Sequence, residues 1–180
     1  MNSRETLIDA AKDLLSTRGY EATSPRDVQN ASGVGQGSFY HHFDSKADLA
    51  SAALASLAED MCHQFDALTD EDGLAFAEAF LTLERNALAG CRIGRITMEA
   101  SLADDRIRKP IADYFAHIRS RLTHAFRHLD LNIEPDALAD LAIAAVQGGY
   151  VIARATGDAN AQDNATTALL AIIRAHTNMD

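Results

Sequence analysis

TSPRDVQNASGVGQGSFYHHFDSK, residues 23–46, holds two helix signatures joined by a glycine turn. Ser24 is suited to cap a first helix, Pro25 to occupy its first position, and Asp27 to answer the cap three residues on. Val28 and Ala31 are expected to face inward. Gly33-Val34-Gly35 is a three-residue turn, the length that joins the helices of a helix-turn-helix unit. A second helix over 36–42 then puts Phe39 and Phe43 on its buried edge, with Gly37, Ser38, Tyr40 and His41 pointing away. Gly37 permits another backbone to come close. Ser38, Tyr40 and His41 carry hydrogen-bonding tips for phosphates or base edges, and Gln36 can pair with adenine. Helix-turn-helix shapes also occur in enzymes, so spacing alone leaves DNA binding and a merely polar surface helix both open.

Residues 4–54 resemble the N-terminal DNA-binding domain of the TetR/AcrR family of bacterial transcriptional regulators. The carrying residues are Gly19-Tyr20, Ser24 to Val28, Gly33-Val34, Gly37 to Phe43, and Ser45 to Leu49, at the family's spacing and without a gap. The resemblance implies that Ser24, Arg26, Gln36, Ser38, Tyr40, His41 and Lys46 contact DNA, with Gly37 beside them, while Phe39 and Phe43 hold the helices together. Three positions depart from the family pattern. Gln29 stands where a small apolar residue is usual, Gly35 where a serine cap is common, and Gln36 where lysine is frequent. The missing positive charge implies modest non-specific affinity.

The chain is 180 residues long and 47% hydrophobic, enough for a real core. Its formal net charge of -10 is unusual for a nucleic-acid binder. Within residues 1–50, Arg4, Lys12, Arg18, Arg26 and Lys46 face Glu5, Asp9, Asp13, Glu21, Asp27, Asp44 and Asp48. DNA affinity must then come from local placement and from two copies acting together, not from a global field. Cys62 and Cys91 lie far apart, which fits thiols in a reducing compartment. No signal peptide and no stretch apolar enough to span a membrane are expected, so a soluble, cytoplasmic protein is the default.

A first helix is expected over 3–18, capped by Asn2 and Glu5 and ended by Gly19. After the central stretch, Ser45 and Asp48 box the start of a longer helix with the stripe Leu49, Ala53, Leu57, Met61 and Phe65. That helix should run from the small domain into the next without a flexible linker. Thr69 and Asp72 are read as boxing a helix that continues to about residue 89. A short helix passes Met98, Glu99 and Leu102, residues 104–109 form a charged connector, and Pro110 opens another helix. His117, His124 and His128 form a stripe on it, for which a solvated face is a better reading than a metal site, since no Cys or carboxylate completes a ligand set. Arg92, Arg95, Arg106, Arg108 and Lys109 are expected to neutralise helix ends and nearby acids. Further helices are expected over 135–156 and 163–176, and no β-pattern is visible, so the chain is all-α.

The last two helices are too apolar for a solvated surface, which suggests an intersubunit four-helix bundle through Leu138, Leu141, Ala145, Leu169, Leu170 and Ile173; burial within the protomer is the other reading. Gly90-Cys91, Glu99 and the segment Gln147 to Arg154 give a fainter resemblance to the LmrA/YxaF-like branch of the family. It implies a small-molecule pocket after residue 45, with Met61, Phe65, Phe76, Phe80, Met98, Phe115, Gln147 and Tyr150 as candidate lining. The combined expectation is a homodimeric repressor, DNA-binding over 1–46 and ligand-binding and dimerising over 47–180. A small apolar effector would release it from a palindromic double-stranded operator, with no cofactor, catalytic residue or membrane involved. Two rivals stay open: an enzyme or carrier using the helical interior, with Glu99 a buried acid, and a regulator controlled by a partner protein.

Overall fold

The computed structural model describes residues 2–68 and 72–177, and they form only helices and connecting turns. The chain divides into two compact units, Met1–Met61 with Arg92–Tyr114, and Cys62–Cys91 with Phe115–Asp180. This packing division differs from the functional one expected at residue 46.

In the first unit, α1 (Ser3–Arg18) starts at Asn2, whose side chain accepts the Arg4 N–H at 3.2 Å while Glu5 accepts the Asn2 N–H at 3.2 Å. Ser24 begins α2 (Pro25–Ser32) in the same way: its hydroxyl accepts the Asp27 N–H at 3.2 Å, and Asp27 accepts the Ser24 N–H at 2.8 Å. Gly33 ends α2, and α3 (Gln36–His42) follows after three residues. Both α2 and α3 pack on α1. Leu7, Ala11, Leu15, Val28, Phe39 and Phe43 are buried. Ala31, expected to face inward, is exposed; in an eight-residue helix the single inward position is taken by Val28. Ser45 caps α4 (Lys46–Asp66), accepting the Asp48 N–H at 3.1 Å and donating to the Asp48 carboxylate at 2.7 Å. This helix is one unbroken rod of 21 residues.

The middle of the chain departs from the sequence reading. Asp72 alone caps α5 (Gly73–Leu81), accepting the Leu74 and Ala75 N–H groups at 3.0 and 3.1 Å; Thr69 lies outside the described residues. The helix ends at Leu81 rather than near residue 89. The Arg85 guanidinium takes the Phe80 and Leu83 carbonyls at 2.6 and 2.8 Å, which supplies donors to a helix end that has no further turn. The short helix around Met98 is a pair of 3₁₀ turns, Gly94–Met98 and Ala100–Ala103. Residues 105–109 are not a connector but the opening turns of α6 (Asp105–Phe126), so Pro110 sits inside that helix. Asp104 supplies the cap, accepting the Arg106 N–H at 2.9 Å, and Pro110 removes only one intrahelical bond near the helix start.

In the second unit, α7 (Pro135–Thr156) packs along α8 (Asn160–Thr177), and α5 packs on α8. Gly149 makes the α7–α8 approach possible: a Cβ there would stand 2.7 Å from the Gln162 Cα. Arg119 on α6 pairs with Asp140 on α7 at 2.6 Å, and Arg174 on α8 with Glu78 on α5 at 2.5 Å; such solvent-exposed pairs add little to stability. Contrary to expectation, α7 is long and apolar enough to cross a membrane; the core helix of a globular protein meets the same measure, and Leu138, Ala142, Val146 and Ala153 of α7 are buried.

Candidate nucleic-acid interface

The α3 helix is seven residues long, too short to hold itself together, so its packing sets its orientation. Phe39 supplies that packing. Its side chain is fully buried, and its ring lies 6.2 Å from Phe43 and 5.0 Å from Tyr40 in an edge-on contact. With Phe39 pointing in, Gln36, Gly37, Tyr40 and His41 are exposed and Ser38 is half-buried. The polar face expected from the wheel therefore exists as one surface. No side chain caps α3, because Gly35 occupies the cap position.

The flanking residues are held differently. Arg26 is exposed on the first turn of α2. The Ser24 hydroxyl is committed to its cap, donating to the Asp27 carboxylate at 2.5 Å, and that bond holds the Asp27 pKa below its ordinary value. Lys46, at the start of α4, lays its ammonium over the Tyr20 ring, 3.9 Å from the centroid. Burial pushes the Lys46 pKa down, opposed by the charges of Glu99, Glu21 and Asp27. Sequence reading missed the contribution of Tyr20. The dipeptide Gly19-Tyr20 was visible, but the ring contact joins positions far apart in the chain.

The candidate effector residues fall in both units. Phe65, Phe76 and Phe80 are buried in the second unit, with the Phe65 and Phe80 rings 5.5 Å apart. Phe115, Gln147 and Tyr150 are half-buried in the same unit. Burial pushes the Tyr150 hydroxyl up to about 12, against the lowering effect of the Arg85 charge. Met61 belongs to the first unit, as does Met98, which is 85% exposed because the 3₁₀ turn that carries it presents Ile96 to the interior instead. An open groove of about 550 Å³ lies in the first unit between α4 (Ser51, Ala55, Ala58) and the start of α6 (Asp105, Arg106, Lys109, Pro110, Asp113).

The candidate dimer residues also divide. Leu138, Leu169, Leu170 and Ile173 are buried within the protomer, Ala145 is half-buried, and Leu141 is exposed. His117 does not stand free on a solvated face; it meets Asp66 at 2.8 Å, and Arg121 reaches the same carboxylate oxygen at 2.8 Å. Among the described residues, no group of His, Cys, Asp and Glu could hold a metal ion.

Residues 7–53 match the family model of bacterial regulatory proteins of the tetR family, and residues 74–168 match that of the LmrA/YxaF-like transcriptional regulator C-terminal domain. An HTH-type transcriptional regulator of Mycobacterium tuberculosis is 30% identical over 168 residues, covering 86% of each chain. The HTH-type repressor DhaR of a Mycobacterium species is 26% identical over 165 residues, covering 82% of this chain and 80% of the relative. KstR2, an HTH-type repressor of Rhodococcus jostii, is 28% identical over 132 residues, covering 72% and 62%. In fold the chain resembles Escherichia coli NemR in its reduced form, with a TM-score of 0.83 at 20% identity over 93% of this chain and 95% of that one. A Chloroflexus aurantiacus TetR regulator gives 0.81 at 25% identity over 96% and 94%. With two family models that together span most of the chain and a relative 30% identical over 86% of both chains, the chain belongs to the TetR family of bacterial regulatory proteins and is a DNA-binding transcriptional regulator rather than an enzyme.

Proposed function

We propose that the protein is a homodimeric, cytoplasmic repressor, with residues 1–46 reading a double-stranded operator and residues 47–180 dimerising and binding a small apolar effector, without a membrane or cofactor. The observation that carries the DNA-reading part is the single exposed polar face of Gln36, Gly37, Tyr40 and His41 above a fully buried Phe39. That face enters the major groove; Arg26, Tyr40 and Lys46 anchor on phosphates, and Gln36 reads a base edge. Repression is supported by the names of two relatives, both called repressors.

Lys46→Ala should weaken binding to all sequences alike and lower the slope of log affinity against log salt by about one. Gln36→Ala should instead cost about 1–3 kcal/mol at a single base position and relax discrimination there. Titrating both variants against matched and mismatched duplexes across salt separates the two roles. Wild-type curves for both would remove α3 from the groove.

Dimerisation is supported by an apolar stripe that the protomer leaves uncovered. On α7, Leu141, Ala144, Val151, Ile152 and Ala155 are exposed at helical spacing; on α8, Ala168, Ile172 and Ala175 are exposed. Two copies meeting here would form a four-helix bundle and present two recognition helices to half-sites one turn apart or a multiple of it.

Effector control is supported by the phenylalanine-rich interior of the second unit and by α4, which begins next to the reading helices. An effector that loosens DNA binding a hundredfold must prefer the released state by about 2.7 kcal/mol. Operator must then weaken effector binding by the same factor. A compound found by thermal shift, titrated with and without operator, checks this; equal affinities would end the coupling.

A further inference from the structure

Glu99, in the first unit, has no part in the function proposed above. Glu99, between the two 3₁₀ turns, accepts the backbone N–H of Tyr20 at 3.2 Å and of Glu21 at 2.9 Å. Ser101 donates its hydroxyl to the same carboxylate at 3.3 Å, and its own N–H reaches the Glu21 carboxylate at 3.3 Å. Arg95 donates to the Thr17 carbonyl in the last turn of α1. Gly19 admits the carboxylate: its φ is 90°, and a Cβ there would stand 1.9 Å from Glu99 Oε1. The Tyr20 ring then carries the Lys46 ammonium. Glu99 lies in the segment that matches the C-terminal family domain, whereas Tyr20 and Lys46 lie in the N-terminal one.

We infer that Glu99 is a positioning residue for DNA binding: its carboxylate fixes the backbone of Tyr20, whose ring holds the Lys46 ammonium in place to meet a phosphate. The inference rests on the reading of Lys46 as a phosphate anchor. Charge and position predict opposite signs. A carboxylate near the DNA-binding surface repels phosphates, so its removal by charge alone strengthens binding. Removal of a positioning group weakens it. Two backbone N–H groups and one hydroxyl converge on this carboxylate, so its removal leaves three donors without their acceptor.

The test uses the full-length protein and a labelled duplex of random sequence, because a phosphate anchor acts on every sequence. Glu99→Ala is expected to weaken binding about tenfold, the size of coupling seen between groups in one network. Glu99→Gln loses the same charge but keeps one carbonyl acceptor, and should lose less. In a Lys46→Ala background, Glu99→Ala should cause no further loss. Tighter binding by Glu99→Ala, or an equal loss in both backgrounds, overturns the inference. Tyr20→Leu leaves the backbone bonds to Glu99 in place and should reproduce the Lys46-dependent loss, while Glu99→Gln, compared in both backgrounds, takes over the test if Glu99→Ala fails to fold. A Lys46→Ala protein that binds DNA like wild type removes the phosphate-anchor reading itself, and the inference with it, a result recognisable without any Glu99 variant.

Discussion

Phe39→Ala is expected to abolish DNA binding and to lower the melting temperature sharply. Phe39 is completely buried, and truncating a buried phenylalanine costs about 3–5 kcal/mol. That is a large share of the roughly 5–15 kcal/mol that holds a domain together. The loss falls on a seven-residue helix that cannot persist without its packing. Tyr40 leans edge-on against the same ring, so the side chain proposed to meet a phosphate loses its support as well. Phe39→Leu fills most of the space and should retain binding with a smaller loss of stability. Circular dichroism melts and anisotropy titrations of the two variants provide the check. A Phe39→Ala protein that melts and binds like wild type would show that α3 is oriented by something else.

Val151→Glu on α7 is expected to yield folded monomers whose operator affinity falls by about 10²–10⁴, the gain that two linked contacts give over one. Val151 is 59% exposed in the protomer, with Ile152 at 51% and Ile172 at 53%. A charge there has little to disturb within one chain, where surface changes stay within about 0.5 kcal/mol. Between two chains it would be desolvated without a partner. The Gly148 position lies on the same stripe, and a Cβ added to it meets nothing within 4 Å, so a second backbone could approach there. Leu169→Glu or Ile173→Glu would not make this test, because both side chains are at most 6% exposed and a charge would unfold the protomer first. Sedimentation velocity combined with a melting curve distinguishes the cases. A Val151→Glu protein that sediments as the wild type does would place any dimer contact elsewhere.

Features decided by neighbours three or four residues away were legible in the sequence. The boxes at Asn2, Ser24 and Ser45 join a short side chain to an N–H within one turn, and Gly19 and Gly33 end their helices at the positions expected. Phe39 and Phe43 were legible for a related reason: in a helix flanked by polar residues, the only apolar side chains must face the core. The family pattern and the exposed polar face of α3 follow from these local terms together.

What the tertiary structure alone decided are choices between locally equivalent options. Leu169 and Ile172 are both apolar and both on α8, yet one is buried against the protomer and the other is exposed; periodicity marks two apolar faces but not which one has a partner. At the end of α5 Arg85 folds back onto the Phe80 carbonyl of the last turn, and α6 starts ahead of Pro110 at the Asp104 cap, contacts that no local pattern announces. The Glu99 clamp joins residues 78 and 79 positions apart. A sequence carries no local term for such a contact, since its hydrogen bonds exist only once the chain has brought Gly19, which has no Cβ to block the approach, against the 3₁₀ turns.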